Sequence, residues 1–319
     1  MAGDVGFARI KGADLARFRF PPAPGGGDLA HSRNHGLDAM NHPISSLSDA
    51  ELVQSLCRHC PPTVVEKARL DFRANLYRYR CVLEAVPPGQ NRMSLLDIGA
   101  RLYTASLYVS HLEYASVAIA SKWQSAFTEE GLLRQIPEHA RIRVDHFDAE
   151  IATFPYDRAA FDTVVCSEVL EHLAVDPMHM LAEINRVTKP GGLLVISTPN
   201  AASFDALTQV LAGNHPYSWA PYNGSSTDRH NREYTLRELE RVVHAAGFDI
   251  QRSVTISASA LSARQKLLAA WISLPDVLRG KAGLQLSRMG TTSLVVARRE
   301  TDVRERRPGW LYYDSAIRA

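Results

Sequence analysis

The stretch 161-FDTVVCSEVLEHLAVDPMHMLAEINRVTKPGGLLVISTPN-200 decides the architecture of this chain. Val164, Val165 and Cys166 form an apolar run too short for a helix, as expected of a parallel strand covered on both faces. A short acidic turn follows, and Asp176 is placed to cap the next helix with Pro177 at its first position. Met178, Leu181, Ala182, Ile184 and Asn185 then recur at helical spacing, and Lys189-Pro190-Gly191-Gly192 reads as the helix stop. Leu193 to Ile196 form a second buried strand, and Thr198-Pro199-Asn200 leads the chain out of the sheet. This is one β-α-β unit, and it predicts an α/β fold.

Outward from this unit, Ser48-Asp-Ala-Glu51 and Thr63-Val-Val-Glu66 read as two capping boxes, each opening a helix. The second helix is expected to run through Leu70, Leu76, Tyr77, Val82 and Leu83 as far as Pro87-Pro88. The sheet starts at Ser94-Leu-Leu-Asp-Ile-Gly99, with a helix over 103–112, a strand over 116–120 and a third strand over 141–144. Thr235-Leu-Arg-Glu238 is another capping box, and its helix ends at Gly247. Strands are expected over 248–256 and 291–297. Between them, 258–289 is an insertion with an apolar stripe through Leu261, Leu267, Leu268, Trp271, Ile272 and Leu278. It reads as a packed helical pair, with a substrate cover, a dimer surface or a membrane-facing surface as alternatives. Residues 1–44 carry Pro21-Pro22, Pro24 and Gly25-Gly26-Gly27 without periodicity and are expected to be flexible or wrapped over the surface.

The chain has 319 residues, 45% of them hydrophobic, enough for a full core. Its net charge of +2 gives no electrostatic case for nucleic acid as the main partner. There is no apolar run of membrane-spanning length and no apolar core of a secretory signal at the N-terminus. With four cysteines, the chain is expected to be cytoplasmic with reduced thiols. Cys57-Arg-His-Cys60 is half a metal-ligand set, and Cys81 and Cys166 do not complete it, so both cysteines read as packing residues. No spacing in the sequence forms a metal site.

Glu168-Val-Leu-Glu-His172 and Lys189-Pro-Gly-Gly192 resemble signatures of class I S-adenosylmethionine-dependent methyltransferases. The resemblance implies a Rossmann-like seven-stranded sheet with helices on both faces and the last strand antiparallel between the fifth and sixth. It also implies a helical lid over 45–90; the catalytic domain is expected over 91–300, with the 258–289 helical insertion inside it, and a tail over 301–319. The implied cofactor is S-adenosylmethionine, held outside the C-terminal ends of the strands. Asp97, Gly99 and Ala100 stand where the family's first loop meets it, although Arg101 and Tyr103 replace two further glycines of the common pattern. Ser121 takes the place of the acid that usually receives the ribose hydroxyls, so a charge-assisted hydrogen bond is lost there. Asp148 and Ala149 resemble the turn that receives the adenine amino group, the alternative for Asp148 being a turn acid. Ser167 and Glu168 lie beside the expected sulfonium. Asp228-Arg-His-Asn-Arg-Glu-Tyr-Thr235 resembles a segment of enzymes of bacterial polysaccharide and secondary-glycan assembly, whose first loop also departs from the glycine-rich pattern.

A sugar hydroxyl is a poor nucleophile, so a nearby base is expected. Candidates are Glu168, whose alternative role is to cap the next helix; His172, expected on the same helix face as Glu168; and His230, in the polar loop after the fifth strand. Tyr217, Trp219 and Tyr222 suit the apolar face of a sugar, or an ordinary packed loop. Arg229 and Arg232 suit an acceptor phosphate, or pairing with Glu233 and Asp228. The expected partner is a small acceptor, such as a sugar or a nucleotide- or lipid-linked glycan, and homo-oligomers are possible. The expected reaction is O-methylation in glycan or secondary metabolism. The alternative is a fold that no longer transfers methyl, acting as a binding or regulatory subunit or as an enzyme scaffolded by bound S-adenosylmethionine.

Overall fold

The computed structural model describes residues 42–60, 65–100, 102–122, 139–216, 229–257 and 288–312, all within the unit Ala39–Ala319. Seven strands follow one another along the chain: β1 (Ser94–Ile98), β2 (Ser116–Ser121), β3 (Ile142–His146), β4 (Phe161–Ser167), β5 (Thr188–Pro199), β6 (Phe248–Ile256) and β7 (Thr292–Arg299). They form one sheet in the order β3-β2-β1-β4-β5-β7-β6. β1 to β5 are mutually parallel, and β7 runs antiparallel to both β5 and β6. The last strand therefore closes the sheet between the fifth and sixth. Strand order reverses at the junction of β1 and β4, which makes their C-terminal ends the natural crevice for a ligand.

Alternation along the strands builds two cores. Leu95, Val117, Ile119, Val165 and Val195 face a layer made by α1 (Asp49–Cys57), α2 (Val65–Ala74), α3 (Leu76–Ala85) and α4 (Leu102–Ser110). Leu96, Val164, Cys166, Leu194 and Ile196 face the opposite layer, made by α5 (Pro177–Val187) and α7 (Leu236–Ala245). Each such side chain, once fully buried, contributes roughly 1.5–3 kcal/mol of transfer free energy. A short helix α6 (Phe204–Leu211), capped by Ser203, follows β5.

The capping boxes at Ser48/Glu51 and Thr235/Glu238 form as expected, as does the Asp176 cap, whose carboxylate accepts from the N–H of Met178 and His179. The expected box at Thr63 lies partly outside the described residues. Three expectations are corrected. The second helix is not continuous: it breaks at Asn75, whose backbone leaves helical geometry and whose amide bonds back to Asp71. Lys189-Pro190-Gly191-Gly192 does not stop a helix, because α5 ends at Val187 and the four residues lie within β5. They are the site of a register shift against β4, where the pairing steps from Phe161–Thr188 to Thr163–Leu193. Gly192 is needed because a Cβ there would sit 2.8 Å from the Asp162 carbonyl. Finally, Glu171 and His172 do not share an α-helical face with Glu168. They belong to a single 3-10 turn (Leu170–His172) entered through Glu168 in the left-handed conformation, φ +56°.

The chain after β7 runs back over the α7 side. Arg304 donates to the His244 and Phe248 carbonyls, and the Arg241 guanidinium stacks 4.1 Å from the Trp310 ring centroid. Asn185 is a core position as its spacing predicts, but its role is polar: its buried amide donates to the carbonyls of Ala246 and Thr301.

Candidate functional site

Gly99 follows β1 with φ +78°, and a Cβ on it would stand 2.4 Å from Cγ2 of Val169. Only glycine passes there without displacing the turn after β4. Its N–H donates to the Ala120 carbonyl at 2.8 Å, which locks the start of the loop to the end of β2. Ala100 follows, half-buried against the α1–α4 core. Asp97 is buried between β2 and β4, and the Tyr108 hydroxyl donates to it at 2.9 Å. Burial pushes its carboxyl up to about 7, with the Tyr108 hydrogen bond acting the other way. Its side chain thus serves the strand–helix junction.

At the neighbouring strand ends, the Ser121 carbonyl accepts from the N–H of Phe147. In the turn after β3 the Asp148 carboxylate accepts from the N–H of Glu150 at 3.1 Å. The same carboxylate pairs with Lys122 at 2.5 Å, linking the ends of β2 and β3. Ala149 packs with the core behind it. Lys122 escaped the sequence reading, because only the fold places it opposite Asp148.

Beyond β4 a polar chain begins. The Ser197 hydroxyl donates to Glu168 at 2.9 Å, so its contact with the Ser167 hydroxyl at 2.8 Å is one in which Ser167 donates. The other Glu168 oxygen meets Arg78 of α3 at 2.5 Å. Glu168 is therefore not a helix cap; its carboxylate ties the N-terminal helices to the ends of β4 and β5. Arg78 carries no motif of its own in the sequence.

The next turn holds the two imidazoles. His172 and His230 lie edge to face with ring centroids 5.1 Å apart. Asn231 and Arg232 both donate backbone N–H groups to the Glu171 carbonyl, and the Asn231 amide donates to the His172 carbonyl at 2.7 Å. These bonds staple the loop after β5 to the turn after β4. Nδ1 of His172 meets the Arg229 carbonyl at 3.1 Å, and Nδ1 of His230 meets Glu233 at 2.7 Å. Glu171 is fully buried beneath them, with one oxygen accepting from Thr198 at 2.9 Å. Burial, and then the charge of Glu168, raise its carboxyl well above the usual range.

One of the two alternatives paired these arginines with Glu233 and Asp228. Arg232 pairs with Glu238 at 2.8 Å and lies over the Tyr234 ring, while Arg229 bonds the Asn231 side chain. The buried Glu233 carboxylate pairs with His230. Tyr217, Trp219, Tyr222 and Asp228 lie outside the described residues.

Residues 71–253, more than half of the chain, match the family model described as a methyltransferase domain, and the chain belongs to that family. A probable S-adenosylmethionine-dependent methyltransferase of Mycolicibacterium smegmatis is 32% identical over 114 residues, which cover 36% of this chain and 38% of the relative. A ubiquinone biosynthesis O-methyltransferase of Idiomarina loihiensis is 34% identical over 91 residues, 28% of this chain and 36% of the relative. The matched stretches thus span well under half of either relative. Among solved structures, an S-adenosylmethionine-dependent methyltransferase from Mesorhizobium loti is similar with a TM-score of 0.47 and 16% identity, covering 70% of this chain and 98% of that one. S-adenosylmethionine is the cofactor named for the Mycolicibacterium smegmatis relative. At the strand ends where it would bind, Gly99 turns the backbone sharply past Val169, Ser121 stands at the end of β2, and the Asp148 carboxylate lies in the turn after β3.

Proposed function

We propose that this protein transfers a methyl group from S-adenosylmethionine to an oxygen of a small acceptor, a sugar or other metabolite of glycan or secondary metabolism. The cofactor supplies an electrophilic methyl on a sulfonium. The residues must hold the acceptor in line and help remove its proton. The observation that carries the reading is the seating of His172 and His230 against one another, one turn past Glu168 at the strand edge where the cofactor belongs. Both imidazoles are steered by their Nδ1 contacts, so the cluster is organised for an acceptor hydroxyl. The naming of relatives as ubiquinone biosynthesis O-methyltransferases supports oxygen as the acceptor atom. The likeness of residues 228–235 to glycan-assembly enzymes supports a sugar, as do Tyr217, Trp219, Tyr222, Arg229 and Arg232 in the same region of sequence.

Calorimetry with S-adenosylmethionine and S-adenosylhomocysteine, followed by an acceptor screen for S-adenosylhomocysteine release, tests this. His172→Ala and His230→Ala are expected to lower turnover by about 10²-fold or more, as loss of proton-transfer assistance does, while cofactor affinity stays within about twofold of the parent. Undiminished turnover in both variants would remove the cluster from the reaction. A second reading is favoured by one observation: Ser121 offers no carboxylate for the ribose, and Lys122 occupies one side of Asp148. It is a methyltransferase fold that binds or scaffolds without transferring methyl. Cofactor binding without S-adenosylhomocysteine release across acceptors would support it.

A further inference from the structure

Oε1 of Glu171 is buried without a hydrogen-bond partner among the described residues, on a side chain that has no exposed surface. Buried carboxylate oxygens are normally satisfied, so this one calls for a cause. It faces Nε2 of His172 at 3.9 Å, too far for a hydrogen bond. That separation suits two ligands of a common ion, since donors each about 2.1 Å from a metal stand up to about 4 Å apart. One donor atom from each of Glu171, His172 and His230 lies within 4.8 Å of the other two.

The surroundings of both rings agree. A carbonyl oxygen only accepts, so the contact with Arg229 requires N–H at Nδ1 of His172 and puts the lone pair on Nε2. The Glu233 carboxylate imposes the same tautomer on His230. A carbonyl or carboxylate behind Nδ1 is the arrangement that orients histidine ligands of metals. The staple of loop 229–232 onto the 170–172 turn holds the three donors together independently of any ion.

We infer that Glu171, His172 and His230 bind one divalent transition-metal ion through a carboxylate oxygen and two imidazole nitrogens. The donor set suits Zn2+, Fe2+, Mn2+ or Co2+. A cation also offsets the cost of a carboxylate buried beside the charge of Glu168. Three protein ligands leave coordination positions for an acceptor hydroxyl, whose proton a divalent ion makes easier to lose to water. The imidazoles then assist loss of that proton through the ion they hold. This last role rests on the methyl-transfer reading; ion binding does not.

The test is titration of the tag-free, chelator-treated full chain with Co2+ alone, followed by visible absorption and calorimetry. One ion per chain is expected. Glu171→Gln and His230→Ala should each weaken it at least tenfold, with an unchanged far-ultraviolet circular dichroism spectrum. Absence of saturable binding, or unchanged affinity in the variants, overturns the inference. Should His230→Ala fail to fold, the near-isosteric Glu171→Gln decides alone. S-adenosylmethionine is titrated separately into the same protein. Ion binding without cofactor binding would sink the methyl-transfer reading and leave the metal site standing, and the reverse result would do the opposite.

Discussion

The guanidinium of Arg78 on α3 lies 2.5 Å from the carboxylate of Glu168 at the end of β4, and both side chains are at least three-quarters covered. A helix that precedes the sheet thereby supplies the counter-charge for a residue at its functional edge. Replacing Arg78 with Met keeps much of the stem packing and leaves Glu168 with Ser197 alone. Loss of one partner from a pair covered to this degree is expected to cost roughly 1–3 kcal/mol. Urea unfolding of R78M, with E168Q/R78M as the closing corner of the cycle, measures it; additive single effects would refute the coupling.

Gly99→Ala should be damaging in two ways. The position requires φ +78°, and the new methyl would meet Val169 at 2.4 Å. A loss of roughly 1–3 kcal/mol is expected from strain and displacement of the turn. Affinity for S-adenosylmethionine should fall more than tenfold, and calorimetry on the folded variant checks it.

Asp97 gives a pH signature. Its folded pKa of about 7 lies above the ordinary carboxylate value, so the folded state holds its proton more tightly than the unfolded chain does. The group costs nothing below about pH 4, where both states are protonated. Its penalty grows as pH rises through the window up to about 7 and stays constant above it. Asp97→Asn keeps an acceptor for Tyr108 and removes the titration. The stability difference between variant and parent should therefore shift in favour of the variant from pH 4 to 7, as read from urea midpoints. A pH-independent difference would contradict the assignment.

Asn185→Leu tests the polar clamp between α5 and the chain after β7. It would strand the buried carbonyl of Ala246 and remove a partner from the more exposed carbonyl of Thr301, at a cost of about 1–3 kcal/mol. Thermal unfolding should show the loss without a change in cofactor affinity.

Much of the sheet was legible because strand burial writes itself locally. Val164 to Cys166 and Leu193 to Ile196 alternate between two covered faces, and no other element accommodates runs so short. Caps were equally readable at Ser48, Asp176 and Thr235, since donor and acceptor lie within one turn. The break at Asn75 was not, because the apolar spacing persists across it and only backbone geometry records it. The Lys189–Gly192 stretch misled for a related reason: glycine and proline mark a turn in sequence, yet here they take up a register shift inside a strand.

At the functional edge, residues named from motifs were found where the strand ends are. What sequence could not supply was pairing over distance. His172 and His230 read as competing candidates, whereas the fold makes them neighbours through hydrogen bonds from 229–232 to the 170–172 turn. Glu171 lies fully buried beneath both rings, which its place in the motif does not reveal. Arg78 and Lys122 gained their meaning only from partners on other elements.

The place of β7 bears on how the molecule is made. β5 and β6 each pair with β7 and not with each other. As the chain leaves the ribosome, β1 to β5 can assemble by successive parallel additions, but β6 then emerges with no strand to join. Until Thr292–Arg299 has been synthesised, β5 carries an open edge and Phe248–Ile256 waits beside it, a temporary invitation to pair wrongly with each other or with another chain. Completion of the sheet is thus a single late event that secures two strands at once, and a nascent chain halted before residue 292 should be more dependent on chaperones than one halted after residue 299.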